Sequence, residues 1–152
     1  MLPAVASTEL NYETQKTNKI LAMKTFSISL DTYYDSINFC ITEDKQEAKK
    51  YILESFKIDV GEKSDYVKGY CVQSAGDTVI WLPRIPETPN EFGNLYHEVY
   101  HAVDFILMKK GVTDRKEPYA YLLGYVIHIF HTLYAPIRKP DFVIFGKKIW
   151  FK

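Results

Sequence analysis

Cysteine is nearly absent from this sequence: Cys40 and Cys71 are the only two among 152 residues. A secreted chain stapled by disulfides carries more of them in a shorter length, so the pair reads as two reduced thiols in an apolar core. Net charge is missing as well. Nineteen Lys and Arg balance nineteen Asp and Glu. Without a basic excess nothing favours nucleic acid or an anionic membrane, both of which want a basic face, and neither partner is expected. No apolar run reaches the ~20 residues of a membrane span. No basic stretch followed by a long apolar segment opens the chain as a secretory signal would. The expected location is cytoplasmic. Histidine is scarce too, with four in all, at 97, 101, 128 and 131.

What is present is globular. Hydrophobic residues make up 47% and charged residues 25%, a composition that excludes disorder and fibrous classes. Aromatics reach 15%, with twelve tyrosines, which suits a dense core and a surface that lines a substrate. The length fits one domain with a self-sufficient core. Residues 1–23 lack clear periodicity and read as an N-terminal arm, leaving 24–152 as the domain.

From Lys24, the apolar residues Phe26, Ile28 and Leu30 alternate with polar ones, a strand with one buried face. Tyr33–Ser36 supplies a turn and Ile37, Phe39 and Ile41 alternate again, so a hairpin is expected. Thr42 or Asp44 can cap a helix ending near Lys57. Tyr70-Cys71-Val72 and Thr78–Leu82 are short strands joined through Ala75-Gly76-Asp77. Thr88-Pro89-Asn90-Glu91 has the form of a capping box with proline at the first helical position. That helix should run to about Lys110, with Gly111 as its stop. Asp114-Arg115-Lys116-Glu117 opens another, to about Tyr134, apolar nearly all round and therefore expected to be largely buried. After Pro140, apolar residues flank Gly146, and a short hairpin or extended segment on the body is expected. The fold class is α+β, a small, mostly antiparallel sheet of about four strands packed on these helices.

Within the longer helix, His97-Glu98-Val99-Tyr100-His101 matches H-E-x-x-H. Four histidines and ten glutamates in this length produce such a match by accident in roughly half a per cent of cases. Positions i and i+4 share a helix face, about 6 Å apart, and two imidazoles so placed can close on one Zn²⁺. Glu98 sits where a carboxylate reaches a metal-held water. The bland alternative is two ordinary histidines on a helix face. Two ligands do not complete a catalytic zinc, which usually has three from the protein. Asp104, one turn beyond His101, suits the orientation of an imidazole better than ligation. Glu117 is a candidate ligand, but Asp114-x-x-Glu117 is itself a capping box that competes for the same carboxylate. His128 lies eleven residues past Glu117, about 16 Å along a helix, so one ion cannot take both. His128, His131 and Asp114 are the other choices, and a lone His on an apolar helix is more often a hydrogen-bonded core residue.

The passage H-E-V-Y-H-A-V-D-F-I, followed by E-P-Y-A-Y-L-L-G-Y, resembles small gluzincin-type metallopeptidases, especially uncharacterised phage- and prophage-encoded ones. The similarity spans roughly Ile80 to Tyr125, with a looser likeness over Lys24 to Phe56. It implies a minimal zincin-like domain in which His97, His101 and Glu117 hold Zn²⁺. It implies further that Glu98 acts as general base in the hydrolysis of a peptide bond in a protein or peptide substrate. It also implies that Thr78–Leu82 is the edge strand that pairs with substrate, and, for a phage protein, that the setting is the host cytoplasm. Tyr100, Tyr119 and Tyr121 are candidates to stabilise the oxyanion. Tyr121 stands four residues after Glu117, where larger gluzincins place a carboxylate. Two other readings stay open: a regulatory, ImmA/IrrE-like protease cutting one partner, and a non-catalytic zinc-binding module. No organic cofactor and no particular oligomeric state are implied.

Overall fold

The computed structural model describes residues 22–62, 68–114 and 116–134, together with the backbone of 143–144 and 147–148. The fold is α+β, a four-stranded mixed sheet flanked by three helices. Strands β1 (Lys24–Leu30) and β2 (Asp35–Ile41) form the expected antiparallel hairpin, from Lys24 opposite Ile41 to Leu30 opposite Asp35. A single 3-10 turn, Asp31–Tyr33, joins them, and Tyr34 closes it in the left-handed region. The second hairpin pairs β3 (Tyr70–Gln73) with β4 (Thr78–Leu82), its turn closed by Ser74 N–H on the Asp77 carbonyl.

The two hairpins meet through a parallel pairing of β2 with β4, which gives the order β1-β2-β4-β3. The expectation that Thr78–Leu82 forms an edge is therefore corrected. β4 is central and all five of its residues are buried, as a strand covered on both faces must be. The edge beside it is β3. Thr78 Oγ1 is buried without a hydrogen-bond partner among the described residues.

Period-two alternation sorts the side chains into two layers. Ile28, Leu30, Ile37, Phe39, Ile41, Ile80 and Leu82 face one side, against α2 (Pro89–Lys109) and α3 (Lys116–Tyr134). Cys40, Val79 and Trp81 face the other, against Ala48 and Ile52 of α1 (Lys45–Phe56). Phe39 anchors the larger layer, stacked on Phe26 at 4.7 Å and tilted against Phe130 at 5.4 Å. Trp81 anchors the smaller one, its indole N–H donating to the Thr42 carbonyl. Cys40 and Cys71 are both free thiols on opposite faces of the sheet. Burial pushes each up to about 12.

Asp44 caps α1, accepting from the N–H groups of Gln46 and Glu47. Thr88 and Glu91 form a complete capping box on α2. At the other end Gly111, with φ of +70°, carries a Schellman closure: Val112 N–H bonds the Leu107 carbonyl and Gly111 N–H that of Met108.

Helix α3 departs from expectation. Only Leu122, Val126 and Phe130 are buried along it, while Tyr121, Tyr125 and Leu133 stay exposed. Tyrosines counted as apolar keep a hydroxyl that favours water, so a helix that reads as apolar all round buries one stripe. In the C-terminal region Val143–Ile144 and Lys147–Lys148 pair as a short antiparallel ladder. The expected N-terminal arm, save Ala22 and Met23, lies outside the described residues, as does the expected packing of the tail. Among the described residues no helix is long and apolar enough to cross a membrane.

Candidate functional site

The buried stripe of α2 is Leu95, Val99, Ala102, Val103, Ile106 and Leu107. Their spacing rotates His97 and His101 out of the core onto an exposed face. The capping box and the Schellman closure fix both ends of the helix, so the presenting element is rigid where the two imidazoles project.

The histidine rings lie 4.6 Å apart edge to face, with Nε2 of His97 3.1 Å from Nε2 of His101. Two nitrogens each about 2.0–2.1 Å from one zinc, at a tetrahedral angle, stand roughly 3.3 Å apart. The pair is thus set for chelation without a change of backbone. The same separation serves one N–H···N hydrogen bond when one ring carries its proton there. A proton or a metal ion can bridge the two.

Glu98, next to His97 on the helix, is only 9% exposed. Burial raises its carboxyl above the usual range, against the charges of His97 and His101 and a hydrogen bond from the Cys71 backbone N–H. A carboxylate so placed binds a proton more avidly than one in water, which is what a general base near neutral pH needs.

The edge strand β3 forms the wall beside it. Gly69, just ahead of the strand, comes so close that a Cβ there would stand 3.6 Å from Glu98 Cγ and 3.3 Å from the Trp81 carbonyl oxygen. Gln73, at the far end of β3, donates to the His101 carbonyl at 3.4 Å. Sequence reasoning missed these contributions of Gly69, Cys71 and Gln73. The available signal was a glycine at the mouth of a strand, which marks close backbone approach.

Compared with protein-family models, curated proteins and solved structures, the chain shows no match. The site stands on its own geometry.

The remaining candidates divide. Tyr100 is half exposed on α2, its ring 5.7 Å from that of His101. Tyr119 reaches across from α3 and donates its hydroxyl to the Tyr100 carbonyl at 3.1 Å. Burial, then the nearby Tyr100 and Asp104, push the Tyr119 phenol upward. Asp104 is half-buried in the same neighbourhood. Glu117 and Tyr121 line a cleft with Leu30, Asp31 and Tyr33. His131 stacks on Phe92 and bonds the Tyr96 hydroxyl at 2.9 Å, and His128 is exposed. Among the described residues no third His, Cys, Asp or Glu gathers with His97 and His101 into a metal-holding group. Asp114 is occupied at the start of α3, where it accepts from Lys116 N–H.

Next to the site a cleft of about 520 Å³ opens between the start of β3, the end of β4 and the first turns of α2. Lys68, Leu82, Arg84 and Asn94 line it, and Asn94 lies one helical turn before His97. Glu91 is saturated there. The N–H groups of Glu87 and Thr88 and the Arg84 guanidinium hold its carboxyl down at about 2.

Proposed function

We propose that the chain is a zinc-dependent peptidase of minimal zincin-like form. The observation that carries this reading is the 3.1 Å convergence of the two Nε2 atoms beside a buried glutamate. His97 and His101 would hold the ion. Zinc in such a place supplies Lewis acidity and a water acidified to a pKa of about 7. The chain's own residues do the rest. Glu98 takes the proton of the attacking water on its carboxylate and delivers it to the leaving amine. The rigid α2 keeps that carboxylate at a fixed position relative to the imidazoles. An extended peptide adds along the edge strand β3, beside the Cys71 N–H that Glu98 holds. Tyr100, beside His101, is the tyrosine best situated to meet an oxyanion.

Substitution of Glu98 by Gln tests the reading. It keeps the shape and removes the base, so turnover of an unstructured protein substrate should fall by about 10²–10⁴-fold while the zinc content stays equimolar. A protein without equimolar zinc after reconstitution at neutral pH, measured by elemental analysis, would sink the proposal. One observation favours a second reading, a zinc-binding module without turnover: the described residues offer the ion two histidines and no third ligand. Under that reading Glu98→Gln changes neither binding of a partner nor metal content.

A further inference from the structure

We propose that the cleft between the β1–β2 corner and the first half of α3 receives a basic side chain, arginine or lysine, presented by a peptide or protein partner. The cleft measures about 600 Å³, within the range of true ligand pockets. Its floor is apolar, formed by the buried Leu30 and Leu122. Its walls carry three tyrosine rings, Tyr33, Tyr121 and Tyr125, and its rim carries the carboxylates of Asp31 and Glu117.

Two features single out a cation. Tyr121 is 77% exposed and Tyr125 48%, so wide ring faces stand open beside the cleft. A cation over such a face gains about 0.5–2 kcal/mol. None of the described residues lining the cleft is basic. Glu117 makes no ion pair or hydrogen bond with any other described residue, and Asp31 accepts from the neighbouring Ser29 hydroxyl while keeping lone pairs to spare. A guanidinium or ammonium meets both groups at once: its head takes charge-assisted hydrogen bonds at the rim and its methylene stem lies along the apolar floor. A neutral side chain forfeits the charge contacts, and an acidic one is repelled. The volume exceeds that of one side chain, leaving room for the residues on either side of it in a peptide.

The inference uses none of His97, Glu98 and His101, so it stands or falls apart from peptide hydrolysis.

The test is a titration of the full chain, carrying ring-labelled tyrosine, with a blocked Gly-Gly-Arg-Gly-Gly peptide and with its neutral citrulline counterpart, followed by NMR. The expected result is a set of shifts confined to Tyr33, Tyr121 and Tyr125. The arginine peptide should bind about tenfold more tightly than the citrulline peptide, with the difference shrinking as salt is raised. Tyr121→Ala, at a position 77% exposed, and Glu117→Gln should each weaken binding about five- to tenfold, and Glu117→Gln should leave zinc stoichiometry unchanged. Equal affinity for the two peptides, shifts elsewhere or none at all would overturn the proposal. Loss of zinc in Glu117→Gln would also overturn it, by returning that carboxylate to the metal. Free arginine amide binding as tightly as the peptide would replace the peptide partner with a small cation.

Discussion

Glu98 on α2 and Glu117 at the start of α3 are both helical glutamates, and the sequence offers both to one proposed site, Glu98 as base and Glu117 as ligand. The structure gives them opposite surroundings. Glu98 is enclosed by β3, with Gly69 against its methylenes and the Cys71 N–H on its carboxylate, and burial makes it a stronger base. Glu117 is exposed at the rim of a tyrosine-lined cleft on the β1 side. The difference lies in the sheet order. Placing β3 at one edge and β1 at the other gives α2 a strand edge to work against and leaves α3 facing the β1–β2 corner. One residue type thus acquires two chemistries from which strand it meets.

The sharpest way to break that comparison is through the metal. Replacing His101 with Ala removes one arm of the proposed chelating pair and should weaken zinc by at least ~100-fold, since even residues that merely orient a ligand are worth 10–100-fold. Competition with a chromophoric chelator measures it. Glu117→Gln, in the same assay, should hold zinc as the parent chain does. If the two variants lose zinc alike, the contrast between the glutamates disappears and α3 must swing toward the site.

Much of this contrast was legible beforehand, and the part that was not has a physical cause. The Thr88 capping box, the Gly111 stop, the Asp44 cap and the Ser74–Asp77 turn follow from local chemistry, in which each bond joins residues no more than five apart, and both hairpins grow outward from such turns. The i, i+4 histidines are local in the same sense, and their convergence followed. The central position of β4 was not legible, because a run such as Thr78–Leu82 has the same letters whether it lies inside the sheet or at its rim. Only the long-range pairing of Ile37 with Thr78 through Ile41 with Leu82 decides that. The exposure of Tyr121 and Tyr125 was hidden similarly, since tyrosine is compatible with either environment. The position of Glu117 relative to His97 depends on how α2 and α3 cross, which no spacing along one chain encodes.

A second test addresses what holds the β1–β2 corner, and with it the tyrosine cleft, to α2. Asp35 opens β2, and its Oδ2 lies 3.0 Å from Lys109 Nζ and 3.4 Å from Lys110 Nζ at the end of α2. Burial raises its carboxyl, but the hydrogen bonds from Lys109 and the Ser36 N–H, with the charges of both lysines, outweigh burial and hold it below the ordinary value. Its stabilising contribution is therefore fully present above the unfolded-state pKa of about 3.9 and fades as pH falls through the lower folded-state value. Asp35→Asn should cost about 1–2 kcal/mol at pH 7, read from urea unfolding. The gap from the parent chain should narrow as pH falls past the unfolded-state pKa and close below the lower folded-state value. A gap that persists there would mean packing, not charge, ties the corner down.

The smallest effect compares the two helix starts directly. Helix α2 begins with reciprocal bonds: Thr88 Oγ1 accepts from Glu91 N–H at 3.3 Å, and Glu91 accepts from Thr88 N–H at 3.0 Å. The bond from Lys116 N–H to Asp114 Oδ1, at the start of α3, is 3.4 Å long, at the weak end of the range. Removing a cap costs about 0.5–2 kcal/mol. Thr88→Ala should fall near 1 kcal/mol and Asp114→Ala near or below 0.5 kcal/mol in paired urea titrations. The consequence reaches the chemistry, because Asn94 and His97 stand in the turns directly above Thr88. A loosened α2 start should lower zinc affinity along with stability, whereas a loosened α3 start should leave zinc untouched and act only on the tyrosine cleft. Were Asp114→Ala the more damaging to zinc, the third ligand would have to come from α3 after all, and the first turn of that helix would be part of the metal centre.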